Sequence, residues 1–266
     1  MQNNGLDKDG FILSEVDITN ILPEYDLAIK DSLSKIKEVL PGIVHSAYVY
    51  GSVARGNAVH GKSDLDLLLI FTRKLEPEER TKLNTTLESL SKNYSALVRE
   101  VGVADCTIDA MLNPANEYGW GAYLKILCVC VDGDDVTKQL PRFKLTSEIA
   151  IGFNGDISSS IDAAIQKLKH AGSNEEVGKI ASTLARKLIR TCYSMVMTRA
   201  QLWTTKLDEQ AKYFVEFFPN KSGFIHTLES WIANPPHDRK NILNVLQMDG
   251  EWLTENFEKE ATRSTI

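Results

Sequence analysis

The stretch Tyr50-Gly51-Ser52-Val53-Ala54-Arg55-Gly56, followed by Ser63-Asp64-Leu65-Asp66-Leu67, decides the fold. It reads as the end of an apolar strand, a sharp glycine-serine turn, a short connection, and a second apolar strand with two carboxylates one residue apart. Side chains alternate across a strand, so Asp64 and Asp66 share one face while Leu65, Leu67 and Leu69 share the other. Two aligned carboxylates at the start of a buried strand are costly without a cation between them, and a divalent metal is the natural one. Glycine lets the backbone approach a ligand closely, so the Gly51-Ser52 turn offers N–H groups and a hydroxyl to a phosphate.

Around this stretch the chain alternates helical and extended patterns. The pattern Tyr25, Leu27, Ala28, Ser32-Leu33, Ile36 and Val39-Leu40 has helical period and predicts a helix from about Pro23 to Leu40, stopped by Pro41-Gly42. Strands are expected at 44–50 and 65–71. Pro77 opens a helix to about Tyr94, a third strand falls within 101–112, and the apolar run 124–131 is a buried strand or helix end. Asp132-Gly133-Asp134-Asp135 closes it as a turn. The character changes near 141–155. Beyond, helical patterns cover 157–170, 175–198, 206–218, 223–233 and 239 to the end, punctuated by Gly172, Pro219 and Pro235-Pro236. Residues 1–20 carry no clear pattern. The expected division is an α+β (α/β) domain over 1–150 and an all-α helical bundle over 151–266.

Bulk properties narrow the function. The 266 residues, 43% hydrophobic and 25% charged, suit a globular chain with a sizeable core. A net charge of −6 argues against a large nucleic-acid surface, yet a nucleotide's charge can be met by a metal and a few cations. No apolar run reaches the length of a membrane span and the start lacks a signal-peptide layout, so a cytoplasmic protein is expected. Cys106, Cys128, Cys130 and Cys192 have no CxxC spacing and read as buried thiols. The histidines show no metal-binding spacing, and His60 sits in the linker of the motif.

Gly51-Ser52, a linker of this length and Asp64-Leu65-Asp66 on a strand together resemble the nucleotidyltransferase superfamily typified by DNA polymerase beta. The resemblance implies a mixed sheet, two Mg²⁺ ions, and an in-line displacement that moves a nucleoside monophosphate from a triphosphate to a hydroxyl. By position, Gly51, Ser52 and Ser63 would hold the nucleotide's phosphate end, and Asp64 and Asp66 would hold metal. Arg55 reads equally as a phosphate ligand and as a solvated surface residue. Such enzymes use a third carboxylate on a neighbouring strand. Asp109, in Ile108-Asp109-Ala110, best fits the family's apolar-Asp-apolar pattern and is the expected metal ligand and general base. Asp105 is the reserve and Glu100 a weaker third option.

The helical half carries a second resemblance. Leu188-Ile189-Arg190-Thr191-Cys192-Tyr193-Ser194, followed by Thr204-Thr205-Lys206-Leu207-Asp208-Glu209, is similar to the helical domain of the streptomycin/spectinomycin adenylyltransferases. It implies ATP as co-substrate, Arg190 and Lys206 as ligands of its triphosphate, and an antibiotic-resistance precedent. Thr205 is the expected N-cap of the helix that Lys206 opens. Glu175 and Glu176 read as capping acids rather than as an acceptor site. Trp120, in Tyr118-Gly119-Trp120-Gly121, stands where an acceptor or adenine would stack, whereas the other tryptophans read as core.

The expectation is therefore an Mg²⁺-dependent adenylyltransferase acting on a hydroxyl of a small, aminoglycoside-like molecule. Its rivals are transfer to a protein or tRNA, as in toxin–antitoxin nucleotidyltransferases, and a non-catalytic nucleotide-binding module on the same fold.

Overall fold

The strand predicted to carry Asp66 lies inside a four-stranded sheet. The computed structural model describes residues 4–263. Strands β1 (Val44–Tyr50), β2 (Leu65–Phe71), β3 (Val101–Thr107) and β4 (Cys128–Gly133) are ordered β3-β2-β1-β4. β1 pairs antiparallel with β2 and β4, while β2 and β3 are parallel, so the sheet is mixed as expected. Parallel neighbours need a crossover, and helix α3 (Pro77–Asn93) provides it between β2 and β3.

Alternation along β2 builds two cores. Leu65, Leu67, Leu69 and Phe71 face a cluster that includes Ile36 of α1 (Pro23–Val39) and Leu83 and Leu90 of α3. Leu68 and Ile70 face the other way, against Tyr48, Met111 and Leu124. Every residue of β2 is buried except Asp66, which is half-buried.

The remaining elements of this part are short. Helix α2 (Gly51–Ala54) follows β1, α4 (Ile108–Met111) follows β3, and α5 (Ala122–Leu127) runs into β4. The third strand is thus shorter than the window read for it. Thr107 ends it because its hydroxyl accepts from the Ala110 N–H at 3.2 Å and caps α4. The run 124–131 proves to be both a helix end and a strand.

The chain divides into two compact units, one spanning Leu13–Phe143 and the other joining the described residues up to Ile12 with those from Lys144 onward. The second is helical: α6 (Ser147–Asn154), α7 (Ile157–His170), α8 (Asn174–Ser194), α9 (Met197–Ala200), α10 (Leu207–Phe217), α11 (Ser222–Ala233), α12 (Arg239–Val245) and α13 (Glu251–Ala261). α8 is its axis, with Val177, Ala181, Leu184, Ala185, Leu188 and Ile189 buried at helical spacing and Ser173 capping its first turn. The helix read through 198 stops at Ser194, and Gln201, at φ +46°, ends the short α9 that follows.

The first described residues, on which the sequence was silent, belong to this helical unit. The Asn4 carbonyl accepts from the Trp203 N–H at 2.9 Å, Phe11 bridges to Lys144, and Ile12 is buried. No helix among the described residues is long and apolar enough to cross a membrane.

Candidate active site

β1 ends at Tyr50, and the chain reverses through Gly51 at φ +72°. A Cβ at Gly51 would lie 2.3 Å from Asp66 Oδ2. Only glycine lets this turn and this carboxylate stand so close, and any larger residue would push one away. Ser52, half-buried, lies in α2, and its carbonyl accepts from the Asn57 N–H at 3.0 Å. Arg55 closes α2, its N–H donating to the Gly51 carbonyl at 3.2 Å. The Ser63 hydroxyl accepts from the Val59 N–H at 2.9 Å, so it braces the linker turn ahead of the carboxylates.

Asp66 stands in register between Tyr50 of β1 and Gly102 of β3. Its side chain shares the face of Leu68 and Ile70, where the sheet is otherwise apolar. Asp64 lies just ahead of β2 on the same parity. Both of its oxygens meet one guanidinium: Arg99 Nε donates to Oδ1 at 3.0 Å and Nη2 to Oδ2 at 2.5 Å.

The parallel ladder continues past the start of β3. The Arg99 N–H donates to the Ser63 carbonyl and the Leu65 N–H to the Glu100 carbonyl, both at 2.9 Å. With Gly102 opposite Asp66, this register sets Glu100 beside Asp64 on the Asp66 face.

The other carboxylates expected to serve are elsewhere. Asp105 is opposite Leu69, on the far face of the sheet, where Arg80 of α3 grips it at 2.6 and 2.9 Å. Asp109 is exposed and sits on α4, past the end of β3. The last residue of β3, Thr107, is opposite Phe71, five residues along β2 from Asp66, which is roughly 16 Å at the strand rise. The structure brings Asp64, Asp66 and Glu100 to one edge of the sheet and does not bring Asp109 there. The apolar-Asp-apolar pattern that singled out Asp109 belongs to a capped helical turn.

Three oxygen-donor carboxylates at a strand end, against a glycine cradle that a Cβ would fill, fit Mg²⁺ in donor chemistry. As their side chains stand, no three Asp, Glu, His or Cys among the described residues are gathered closely enough to hold an ion.

An aromatic set adjoins the carboxylates. Tyr50, the cross-strand partner of Asp66, meets Tyr123 edge-on at 5.6 Å, and Tyr123 meets Trp120 at 6.4 Å. All three are only partly buried.

In the helical unit, Arg190 is exposed on α8. Lys206 itself is the N-cap residue of α10, one position beyond the expected Thr205, and its Nζ lies 3.0 Å from Glu209 Oε1. Thr204 donates to the other oxygen of Glu209 at 2.6 Å. Hydrogen bonds from Thr204 and Lys206 hold the Glu209 carboxyl below its ordinary range.

This arrangement has a family counterpart. Residues 28–110 match the family described as polymerase beta, nucleotidyltransferase. That stretch is a nucleotidyltransferase domain. It spans the greater part of α1, the Gly51-Ser52 turn, both motif carboxylates, Glu100 and the whole of β3. No curated protein matches the chain in sequence. Among solved structures, the spectinomycin adenyltransferase AAD(9) of Enterococcus faecialis, crystallised with ATP and spectinomycin, is similar at TM-score 0.56. The two are 14% identical over 87% of this chain and 98% of that one. The likeness extends the fold beyond the nucleotidyltransferase domain to the helical unit.

Sequence reasoning missed Arg99 altogether. Its signal was its place directly before Glu100, but that means nothing until the β2–β3 register is known.

Proposed function

We propose that this chain is an Mg²⁺-dependent adenylyltransferase that moves AMP from ATP to a hydroxyl of a small, aminoglycoside-like acceptor. The observation that carries the reading is the Gly51–Asp66 approach with Asp64 on the same parity and Glu100 in register beside it. Asp64, Asp66 and Glu100 would hold the metal. Mg²⁺ bound there would neutralise phosphate charge and acidify the acceptor hydroxyl.

The chain's own groups supply the rest. Glycine at position 51 lets the backbone approach the triphosphate, and Ser52 offers a hydroxyl beside it. Glu100, exposed at the strand end, is our candidate to take the proton from the acceptor hydroxyl. Positioning and electrostatics provide most of the acceleration in such transfers. Trp120, Tyr123 and Tyr50 offer an aromatic wall on the carboxylate face for a ring of the acceptor or the base. Arg190 and Lys206 are retained as triphosphate ligands on the resemblance of their helices, and Arg55 and Ser63 on the motif.

ATP use and a small acceptor are supported by the structural likeness to AAD(9). The test is transfer of label from α-labelled ATP with Mg²⁺ to spectinomycin and streptomycin, with total tRNA and the protein itself as rival acceptors. Label on an antibiotic, lost in D64N and reduced about a hundredfold or more in E100Q, is expected from removal of a general base. D109N is expected to match the wild type. Loss in D109N with full activity in E100Q would reverse the assignment of the third carboxylate.

A further inference from the structure

One half of the carboxylate pair is already held by a cation of the chain itself. Arg99 approaches Asp64 fork to fork, and its two donors use both carboxylate oxygens. That is the strongest pairing a carboxylate makes with a side chain, because two parallel charge-assisted bonds share one geometry. Any other cation at Asp64 must compete with it.

The segment is built so that only a side chain has to move. Backbone hydrogen bonds on both sides, Arg99 to Ser63 and Leu65 to Glu100, fix the main chain beside the motif. The guanidinium side, by contrast, is 59% exposed, against 27% for Asp64. A solvated guanidinium can leave by rotamer change at little cost, since water replaces the bonds it gives up.

A second pair shows what a purely structural fork looks like here. Arg80 also forks both oxygens of Asp105, through Nη1 and Nη2, but it sits on α3 and ties that helix to β3. Arg99 lies in the connection between α3 and β3, and its side chain ties no helix to the sheet. What its fork does is neutralise a carboxylate at an edge where Asp66 and Glu100 stand on the same face, and like charges so placed repel.

We propose that Arg99 is a latch on the metal site, holding Asp64 until a divalent cation takes the carboxylate in its place. The proposal rests on the reading that Asp64 and Asp66 bind metal. It assigns Arg99 a positioning role, not a catalytic one. No bond is made or broken in the exchange, only a guanidinium for a metal ion at two oxygens.

The test is Mn²⁺ binding, without nucleotide, followed by the spin-resonance signal of the free ion in wild type, R99A, R99K and D64N. Arg99 is exposed, so the variants are expected to keep the wild-type circular dichroism spectrum. R99A is expected to bind Mn²⁺ about two- to fivefold more tightly, the range set by losing an exposed ion pair. R99K is expected to tighten as well, because an ammonium cannot fork two oxygens. Unchanged or weaker binding in R99A, with binding lost in D64N, overturns the latch and leaves the metal site standing. Tightening in R99A with R99K equal to wild type overturns it too, because charge alone would then explain the effect. Wild-type Mn²⁺ binding in D64N overturns the metal reading and the latch with it.

Discussion

At the scale of the residue, the decisive contact is a missing Cβ. Gly51 turns at φ +72° with Asp66 Oδ2 where its side chain would begin. G51A must either move the carboxylate or unwind the turn. The backbone strain alone is of order 1–3 kcal/mol, and the displaced carboxylate should cost activity well beyond that. Thermal denaturation together with labelled-ATP turnover checks this, and a G51A enzyme with wild-type rate and stability would contradict it. The same scale shows what was legible in the sequence. Gly51, Ser52, Asp64 and Asp66 were readable because strand alternation is a local rule. That Glu100 stands beside Asp64 was not, because it depends on which residue of β3 faces Asp66, a non-local register that only the paired strands fix. Asp105 and Asp109 had plausible sequence surroundings, yet one faces α3 and the other lies in the first turn of a helix capped by Thr107.

At the scale of the element, β1, β2 and α3 were readable to within a residue or so because hydrophobic period and Pro77 act over short spans. Short elements such as α2 and α4 escaped, since four residues carry too little period to recognise. The start of α3 carries a testable electrostatic feature. Glu79 accepts two bonds from Arg73, each at 2.8 Å, and one from the Glu76 N–H, completing a capping box. The Arg73 guanidinium, then that N–H, lower its carboxyl from the ordinary 4.5 to about 2. A carboxyl held below its unfolded value stabilises the fold above that value and loses the contribution as pH falls between the two. Wild type is therefore expected to lose stability from about pH 4.5 toward pH 2 at this site, and R73A to show a smaller loss across that window. Equal acid-unfolding curves for the two proteins would refute the assignment. Because α3 carries β2 over to β3, this cap also helps to hold the register that brings Glu100 beside Asp64.

At the scale of the whole molecule, the change from alternating to purely helical pattern near residue 150 was visible in the sequence. That the first described residues join the helical unit was not, because Asn4 and Phe11 bond to Trp203 and Lys144, far along the chain. The nucleotidyltransferase domain over 28–110 contains the motif carboxylates and Glu100 within one compact unit. The central claim about the molecule is that these carboxylates bind nucleotide through metal. Titration calorimetry of ATP into wild type and D66N, each in Mg²⁺ and in chelator, tests it most directly. The account predicts that wild type binds ATP at least about tenfold more tightly with Mg²⁺, a difference of roughly 1.4 kcal/mol, and that D66N loses this dependence. ATP affinity that is the same in Mg²⁺ and in chelator for wild type, or a Mg²⁺ dependence that survives in D66N, would contradict it.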